Sequence, residues 1–228
     1  MRCKLVVRFA IDGDLRFISH QDTVRLFERA LARAEWPVKF SEGFNPRPRL
    51  SLPLPRNVGL ASDEELLVVE MAQALDPDEA IRRLSGQVPA GIRLLGATAT
   101  SARTGPRPLR ARYEVRLDAH VPWLEEAIAA LMERGTCVVA RTSPDGKAPR
   151  TVDIRPCIEA VTYCGCVLGM ALRIAPTGTA RPVEVLNALG LPGERLAHRL
   201  RRTCVEWAFA DDDTEQGRFD PPTPIATA

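Results

Sequence analysis

A repeated order of strand and helix patterns predicts that this 228-residue chain folds as two α+β domains in tandem. Each half, of about 100 residues, is patterned as strand, helix, strands, helix, strand. This is the order of the split βαβ, or ferredoxin-like, plan, in which two helices cover one face of an antiparallel sheet. We therefore predict two tandem ferredoxin-like (split βαβ) domains, antiparallel sheets with helices on one face, over residues 1–100 and 111–210. A polar stretch at residues 101–110 is the predicted linker.

The first half opens with a β-rich run at residues 4–10 and a turn at residues 12–14. Residues 15–19 are predicted to extend that run into a hairpin. A helix then starts near Gln21 or Asp22, because apolar residues recur every three or four positions, and it ends before Pro37. The other predicted elements of this half are strands at 50–54, 66–71 and 92–97 and a helix at 77–84.

The second half repeats the pattern beyond the linker. The predicted strands are 113–117, 137–141, 151–154, 167–174 and 200–208, and the predicted helices are 122–134 and 181–189. A turn at residues 144–146 separates two of the strands. Residues 211–228 are acidic and rich in proline, so we predict a disordered tail.

The net charge of +2 argues against a strong nucleic-acid binder, which usually carries a clear basic excess. The charge is unevenly distributed, however. Residues 1–60 hold 11 basic and 6 acidic side chains, whereas residues 61–100 hold 3 and 7. A basic N-terminal surface is therefore compatible with the overall balance.

Several classes of protein are disfavoured by what the sequence lacks. It has no apolar run of membrane-spanning length and no secretion signal, so we expect a cytoplasmic protein with no membrane contact. The six cysteines are expected to be reduced, and the pair Cys164 and Cys166 completes no metal motif. Because no nucleotide-binding, metalloprotease or hydrolase signature occurs, we predict no cofactor, no metal and a binding or accessory role.

Arginines in two neighbouring segments are the candidate nucleic-acid contacts. Arg25, Arg29 and Arg33 recur every fourth residue along the first helix and line one stripe. The segment at residues 41–49 holds two arginines on a backbone stiffened by prolines, with Phe44 as a stacking surface. In the alternative, Phe44 fills the core and the arginines face water. The full candidate set is Arg16, Arg25, Arg29, Arg33, Phe44, Asn45, Arg47, Arg49 and Arg155.

His20 and Asp22 are weak candidates for a catalytic acid-base pair. The simpler interpretation is that Ser19 or Asp22 caps the first helix and that His20 packs beside the cap. Asp153 and Arg155, at the end of a predicted strand, are expected to form a local ion pair.

The motifs in the first half resemble a family of bacterial radical SAM-linked proteins. The matching positions are Arg16, Phe17, Ser19, His20, Asp22, Arg29, Ala30, Arg33, Ala34, Ser41, Gly43, Phe44, Asn45, Pro46 and Pro48. In the second half the likeness continues through residues 153–156, Arg181 and Pro182, and it covers most of residues 3–208. Ala32 departs from the family, which tends to have arginine there. The resemblance implies a bacterial cytoplasmic protein that works beside a radical SAM enzyme, on RNA or the translation apparatus.

Together these features favour an accessory RNA-binding module that acts with a radical SAM enzyme. Two alternatives stay open. One is an RNA-processing or RNA-modifying enzyme that uses His20 and Asp22. The other is a protein-interaction subunit that delivers a substrate to the radical SAM partner.

Overall fold

The computed structural model describes residues 3–141, 150–175 and 178–209. The first half contains β1 (Cys3–Ile11), α1 (His20–Arg33), β2 (Leu50–Ser51), β3 (Ala61–Met71), α2 (Pro77–Ser85) and β4 (Ile92–Thr100). The second half contains β5 (Arg107–Arg116), α3 (Leu124–Glu133), β6 (Val138–Arg141), β7 (Arg150–Asp153), β8 (Ile158–Cys164), β9 (Val167–Ala175), β10 (Gly178–Thr179), α4 (Pro182–Ala188), α5 (Gly193–Leu196) and β11 (Leu200–Ala208). The predicted turn at 144–146 and the predicted tail at 211–228 lie outside the described residues.

The two halves share one large, mostly antiparallel sheet. Its strand order is β10-β9-β5-β11-β3-β1-β4, with β2 beside β3 and β8 beside β9. The strands β6 and β7 form a separate hairpin. The halves meet where β11 runs parallel to the start of β3, with Arg201 opposite Ala61 and Arg202 opposite Ser62. The prediction placed a separate sheet in each half, and the difference arises because β11 pairs on both of its edges.

Within each half, the first strand lies in the middle and the helices cover one face. The order is β2-β3-β1-β4 in the first half and β8-β9-β5-β11 in the second. Alternate residues of β1 share a core with α1 and α2, and Phe9 packs edge-on against Phe27 at 4.8 Å between ring centroids. Alternate residues of β5 share a second core with α3 and α4. The structure is therefore a mixed α+β fold with one hydrophobic core beneath the helices of each half and a smaller buried cluster of Val6, Leu66 and Val68.

Helix α1 follows directly from its sequence. The Ser19 side chain accepts a hydrogen bond from the Asp22 N–H and caps the first turn. Leu26, Phe27, Ala30 and Leu31 are buried at the spacing that the sequence predicts, and the helix ends before Pro37. The predicted helix is confirmed, with its start at His20.

The segment before α1 differs from the prediction. Residues 15–19 do not continue β1 into a hairpin, because Gly13–Phe17 form a 3₁₀ turn. Gly13 has φ of +59°, a conformation that favours glycine, and it donates its N–H to the Asp12 side chain. The chain therefore leaves the sheet at Asp12.

Two strand boundaries and two elements also differ from the prediction. Strand β3 begins at Ala61 rather than at residue 66, because its polar first half pairs with β1 and with β11. Strand β5 begins at Arg107, inside the predicted linker, where Arg107 pairs with Ala208. Strand β8 and the short helix α5 were not predicted at all. Among the described residues, no helix has both the length and the apolar character needed to span a bilayer.

Candidate nucleic-acid interface

Residues 38–50 form a short hairpin at one corner of the sheet, which we call the basic hairpin. Its two arms pair through Phe40 and Pro48, and the Arg49 N–H donates to the Lys39 carbonyl at 2.8 Å. The Lys39 N–H donates to the Glu70 carbonyl, which attaches the hairpin to β3. The hairpin is therefore a fixed extension of the sheet.

Ser41 closes the loop at the hairpin tip. Its N–H donates to the Arg47 carbonyl at 2.8 Å, and its Oγ accepts from the Arg47 N–H at 2.9 Å. Gly43 adopts φ of +124°, and Pro46 restricts the backbone on the other side of the tip. The loop sequence thus encodes a stiff turn.

The tip presents an aromatic ring to solvent. Phe44 is fully exposed, and Phe40 is 52% exposed on the adjoining arm. The alternative in which Phe44 fills the core is therefore wrong. Asn45 is also exposed at the tip. Exposed rings on a stiff turn are the arrangement on which a base can stack.

Cationic side chains occupy both arms of the basic hairpin. Lys39 and Arg47 are exposed. Arg49 is partly exposed, and one of its guanidinium nitrogens lies 3.3 Å from a Glu70 carboxylate oxygen. The hairpin thus combines positive charge with aromatic surface.

The arginine stripe of α1 lies on the solvent face of the helix, as predicted. Arg25, Arg29 and Arg33 are all exposed. Arg25 forms an ion pair with Asp22 at 3.1 Å, and Arg33 donates to the Gln87 carbonyl at 2.6 Å. Arg25 is held by its ion pair and Arg33 by its hydrogen bond to Gln87. Arg29 is therefore the least constrained cation of the stripe.

The helix separates the His20 segment from the basic hairpin. His20 is the first residue of α1, beside the end of β1, whereas the hairpin abuts Met71, which pairs with Cys3 at the start of β1. A helix of 14 residues is about 21 Å long. His20 and Asn45 therefore lie near opposite ends of α1.

Asp22 is occupied by the helix cap. Its carboxylate accepts from Ser19 Oγ at 2.7 Å and from Arg25 at 3.1 Å. The hydrogen bond from Ser19, aided by Arg25, holds the pKa of the Asp22 carboxyl below its ordinary value. Within the described residues, no hydrogen bond joins this carboxylate to His20. The geometry is that of a capped helix.

The Arg155 side chain forms its hydrogen bonds within the second half of the molecule. Its guanidinium donates to the carbonyls of Met132 at 2.6 Å, Arg134 at 3.1 Å and Ile158 at 2.9 Å. The carbonyls of Met132 and Arg134 lie at the end of α3, and that of Ile158 lies at the start of β8. Asp153 accepts the N–H groups of Cys137 and Arg155 instead of pairing with the guanidinium. We therefore leave Arg155 outside the candidate interface.

Arg16 lies at the base of α1 and is partly buried. Its guanidinium stacks over the Phe17 ring at 4.7 Å. Its carbonyl accepts from Gly59 and from Arg56. Arg16 is thus placed with the His20 segment, at the far end of α1 from the basic hairpin.

Sequence reasoning missed a set of arginines that hold the fold together. Arg56 counted toward the basic N-terminal block, but it is buried and bonded to backbone carbonyls. Arg202 forms a buried ion pair with Glu65 at 2.6 Å. Arg201 bridges Asp12 and Asp63. The only signal in the sequence is that these charges flank or interrupt apolar strands.

The six cysteines are all unpaired thiols. Cys164 is exposed at the end of β8, and Gly165, with φ of +61°, turns the chain toward Cys166. In the part of the chain that the structure describes, no three His, Cys, Asp or Glu side chains are placed to hold a metal ion.

Comparison with known proteins gives one match in sequence and distant matches in structure. A family model described as "Uncharacterized protein conserved in bacteria (DUF2344)" matches residues 4–182. No curated protein is significantly similar in sequence. Among solved structures, a Cbf5-Nop10-Gar1 complex is similar with a TM-score of 0.40 and 11% identity, over 88% of this chain and 48% of that chain. An unknown protein from Galdieria sulphuraria is similar with a TM-score of 0.25 and 13% identity, over 92% of this chain and 99% of that chain. This chain thus spans about half the length of the first of these chains.

Proposed function

We propose that this chain, which belongs to the DUF2344 family of proteins conserved in bacteria, is a cytoplasmic RNA-binding accessory protein whose interface is the basic hairpin. The observation that carries the proposal is the fully exposed Phe44 ring on a loop that hydrogen bonds close between cationic arms. An unpaired base of RNA can stack on such a ring while its phosphates meet Lys39 and Arg47.

The stiffness of the hairpin favours a role in binding over the alternative that the loop is simply exposed to solvent. The hydrogen bonds of Ser41 and the two prolines hold the backbone before a ligand arrives. A preformed loop loses little conformational entropy on binding, so more of the contact energy contributes to affinity.

The strand order supports a finer description of the fold. Both halves have their first strand in the middle, between the third and fourth strands of the unit. We propose that each half is a ferredoxin-like unit, that the unit boundary lies within residues 101–110, and that β11 fuses the two sheets. RNA-binding modules built on this plan are common, but this likeness is at the level of the fold alone.

RNA binding is tested at the hairpin tip. Phe44→Ala should weaken binding of single-stranded RNA by roughly 5-fold to 150-fold, the range for loss of one stacked base. Arg47→Ala should weaken binding less at high salt than at low salt and reduce the salt slope by about one. Fluorescence anisotropy with labelled RNA at several salt concentrations measures both effects.

The matched control for charge is Arg93→Ala, because Arg93 is also exposed but lies on β4, outside the hairpin. It should leave the affinity unchanged. Equal affinities for the wild type, Phe44→Ala and Arg47→Ala would contradict RNA binding at this surface.

The proposed partner, a radical SAM enzyme, rests on the family resemblance of the sequence motifs. A tagged full chain purified from its own bacterium should bring down a radical SAM enzyme, identified by mass spectrometry. We expect recovery to survive nuclease treatment if the two proteins touch directly, and to be lost if RNA bridges them. Failure to recover the enzyme without nuclease would argue against the partnership.

A further inference from the structure

A cavity of about 230 Å³ lies at the foot of the basic hairpin. Four cationic residues line it, Lys4 from β1, Lys39 and Arg49 from the hairpin and Arg103 from the chain between β4 and β5. One carboxylate, that of Glu70, lies among them. Three separate parts of the chain therefore bring an excess of positive charge to one small space.

Lys4 is the least expected member of this group. It is only 8% exposed, although lysine is almost never fully buried unless it is paired. Its ammonium donates to the Arg103 carbonyl at 2.8 Å. An ammonium has three donors, and among the described residues no carboxylate forms an ion pair with it. The Lys4 ammonium thus has donors left for a further acceptor.

Glu70 does not fill that role. It lies opposite Lys4 in the pairing of β1 with β3, but its carboxylate pairs with Arg49 at 3.3 Å. Both side chains of that pair are more than a third exposed, so the pair is weak. An anion that entered the cavity could therefore also recruit Arg49.

We propose that this cavity binds a phosphate monoester group. A buried cation is stabilised by an anion that accepts several hydrogen bonds, and the oxygens of phosphate accept from both lysine and arginine. The cavity is smaller than the roughly 300–1,000 Å³ typical of sites that enclose a whole organic ligand. It suits the phosphate itself, with the rest of the molecule outside.

The phosphate can belong to the end of an RNA or to a small phosphorylated molecule. The first source rests on the proposed function, because Lys39 and Arg49 are also arms of the basic hairpin. The second source does not depend on RNA binding.

The test uses the full chain and two kinds of probe. Inorganic phosphate and adenosine monophosphate are titrated by calorimetry, and an RNA of one sequence is compared with a 5′-phosphate, a 3′-phosphate or hydroxyl ends. We expect the phosphate probes to bind and one phosphorylated RNA to bind about tenfold or more tightly than the hydroxyl form. Lys4→Met should abolish this preference and leave the affinity for the hydroxyl RNA unchanged.

Arg103→Ala provides a second variant that does not disturb a strand, because Arg103 is exposed between β4 and β5. It should weaken phosphate binding several-fold. Arg93→Ala, outside the cavity, should not.

The outcomes separate the two proposals. Binding of the small probes without discrimination between RNA ends assigns the cavity to a small phosphorylated molecule. Binding of the small probes with no RNA binding at all supports the cavity and overturns the RNA proposal. If RNA binds and depends on Phe44 but no phosphate probe or phosphorylated end is preferred, the cavity proposal is wrong.

Discussion

Replacing Glu65 with alanine is expected to lower the free energy of unfolding by about 3–5 kcal/mol. Glu65 and Arg202 form an ion pair of 2.6 Å in which the side chains are only 6% and 3% exposed. Burial alone would lower the pKa of the Arg202 guanidinium, but Glu65 and Tyr113 hold it above its ordinary value. Without Glu65, the charge of Arg202 would stay buried and uncompensated, where β11 joins β3.

Urea unfolding followed by circular dichroism measures this loss. Glu114→Ala is the control, since Glu114 is exposed on β5 of the same sheet, and it should change stability by less than about 0.5 kcal/mol. The double variant Glu65→Leu with Arg202→Met removes both charges and should be more stable than Glu65→Ala. A loss below about 1 kcal/mol for Glu65→Ala would contradict a strongly coupled buried pair.

Arg56→Met is expected to cost about 3 kcal/mol or more of folding stability. The Arg56 side chain is buried and donates to the carbonyls of Arg16 at 2.6 Å, Ile18 at 3.2 Å and Leu60 at 2.8 Å. Methionine would fill part of the space but leave the carbonyls of Ile18 and Leu60 without the hydrogen bonds that Arg56 donates. The 3₁₀ turn before α1 would keep the hydrogen bond from the Gly59 N–H to the Arg16 carbonyl but lose those from Arg56.

Arg56→Lys distinguishes charge from geometry. A lysine keeps the positive charge but cannot spread donors over carbonyls on two chain segments, so it should recover only part of the stability. Thermal unfolding gives the size of the loss, and hydrogen exchange at residues 15–19 locates it. Arg47→Ala is the matched arginine control and should be as stable as the wild type, because Arg47 is exposed. Full stability of Arg56→Met would overturn the structural role.

Local patterns were enough to predict the elements whose causes are local. Helix α1 is set by its apolar spacing, by the Ser19 cap and by Pro37, all within one short segment. Strand β11 has the predicted bounds, residues 200–208.

Charged strand segments were not predictable in the same way. The polar start of β3, from Ala61 to Glu65, did not resemble a strand, because its charges are matched by arginines far away in sequence. Arg202 and Glu65 are 137 positions apart. A pattern read over a short window cannot contain such a partner.

For the candidate site, the sequence identified the residue types but not their surroundings. It predicted that arginine and phenylalanine side chains at residues 41–49 contact nucleic acid, and the structure places these side chains on a hairpin where Phe44 and Arg47 are exposed. It could not distinguish Arg47, which faces solvent, from Arg56, which is buried, because both are arginines in proline-rich segments. That Arg47 contacts RNA is thus a prediction, whereas the structural role of Arg56 follows from its burial and its hydrogen bonds.

The sequence by itself determined where the chain turns, which helix face is apolar and that positive charge gathers in the first quarter. Those properties depend on residues a few positions apart. Only the tertiary structure decided that the two halves share a sheet, that Lys4 is buried beside a cavity and that Arg202 is paired. Burial and charge pairing depend on which distant segments meet, and that is fixed only when the whole sheet has formed.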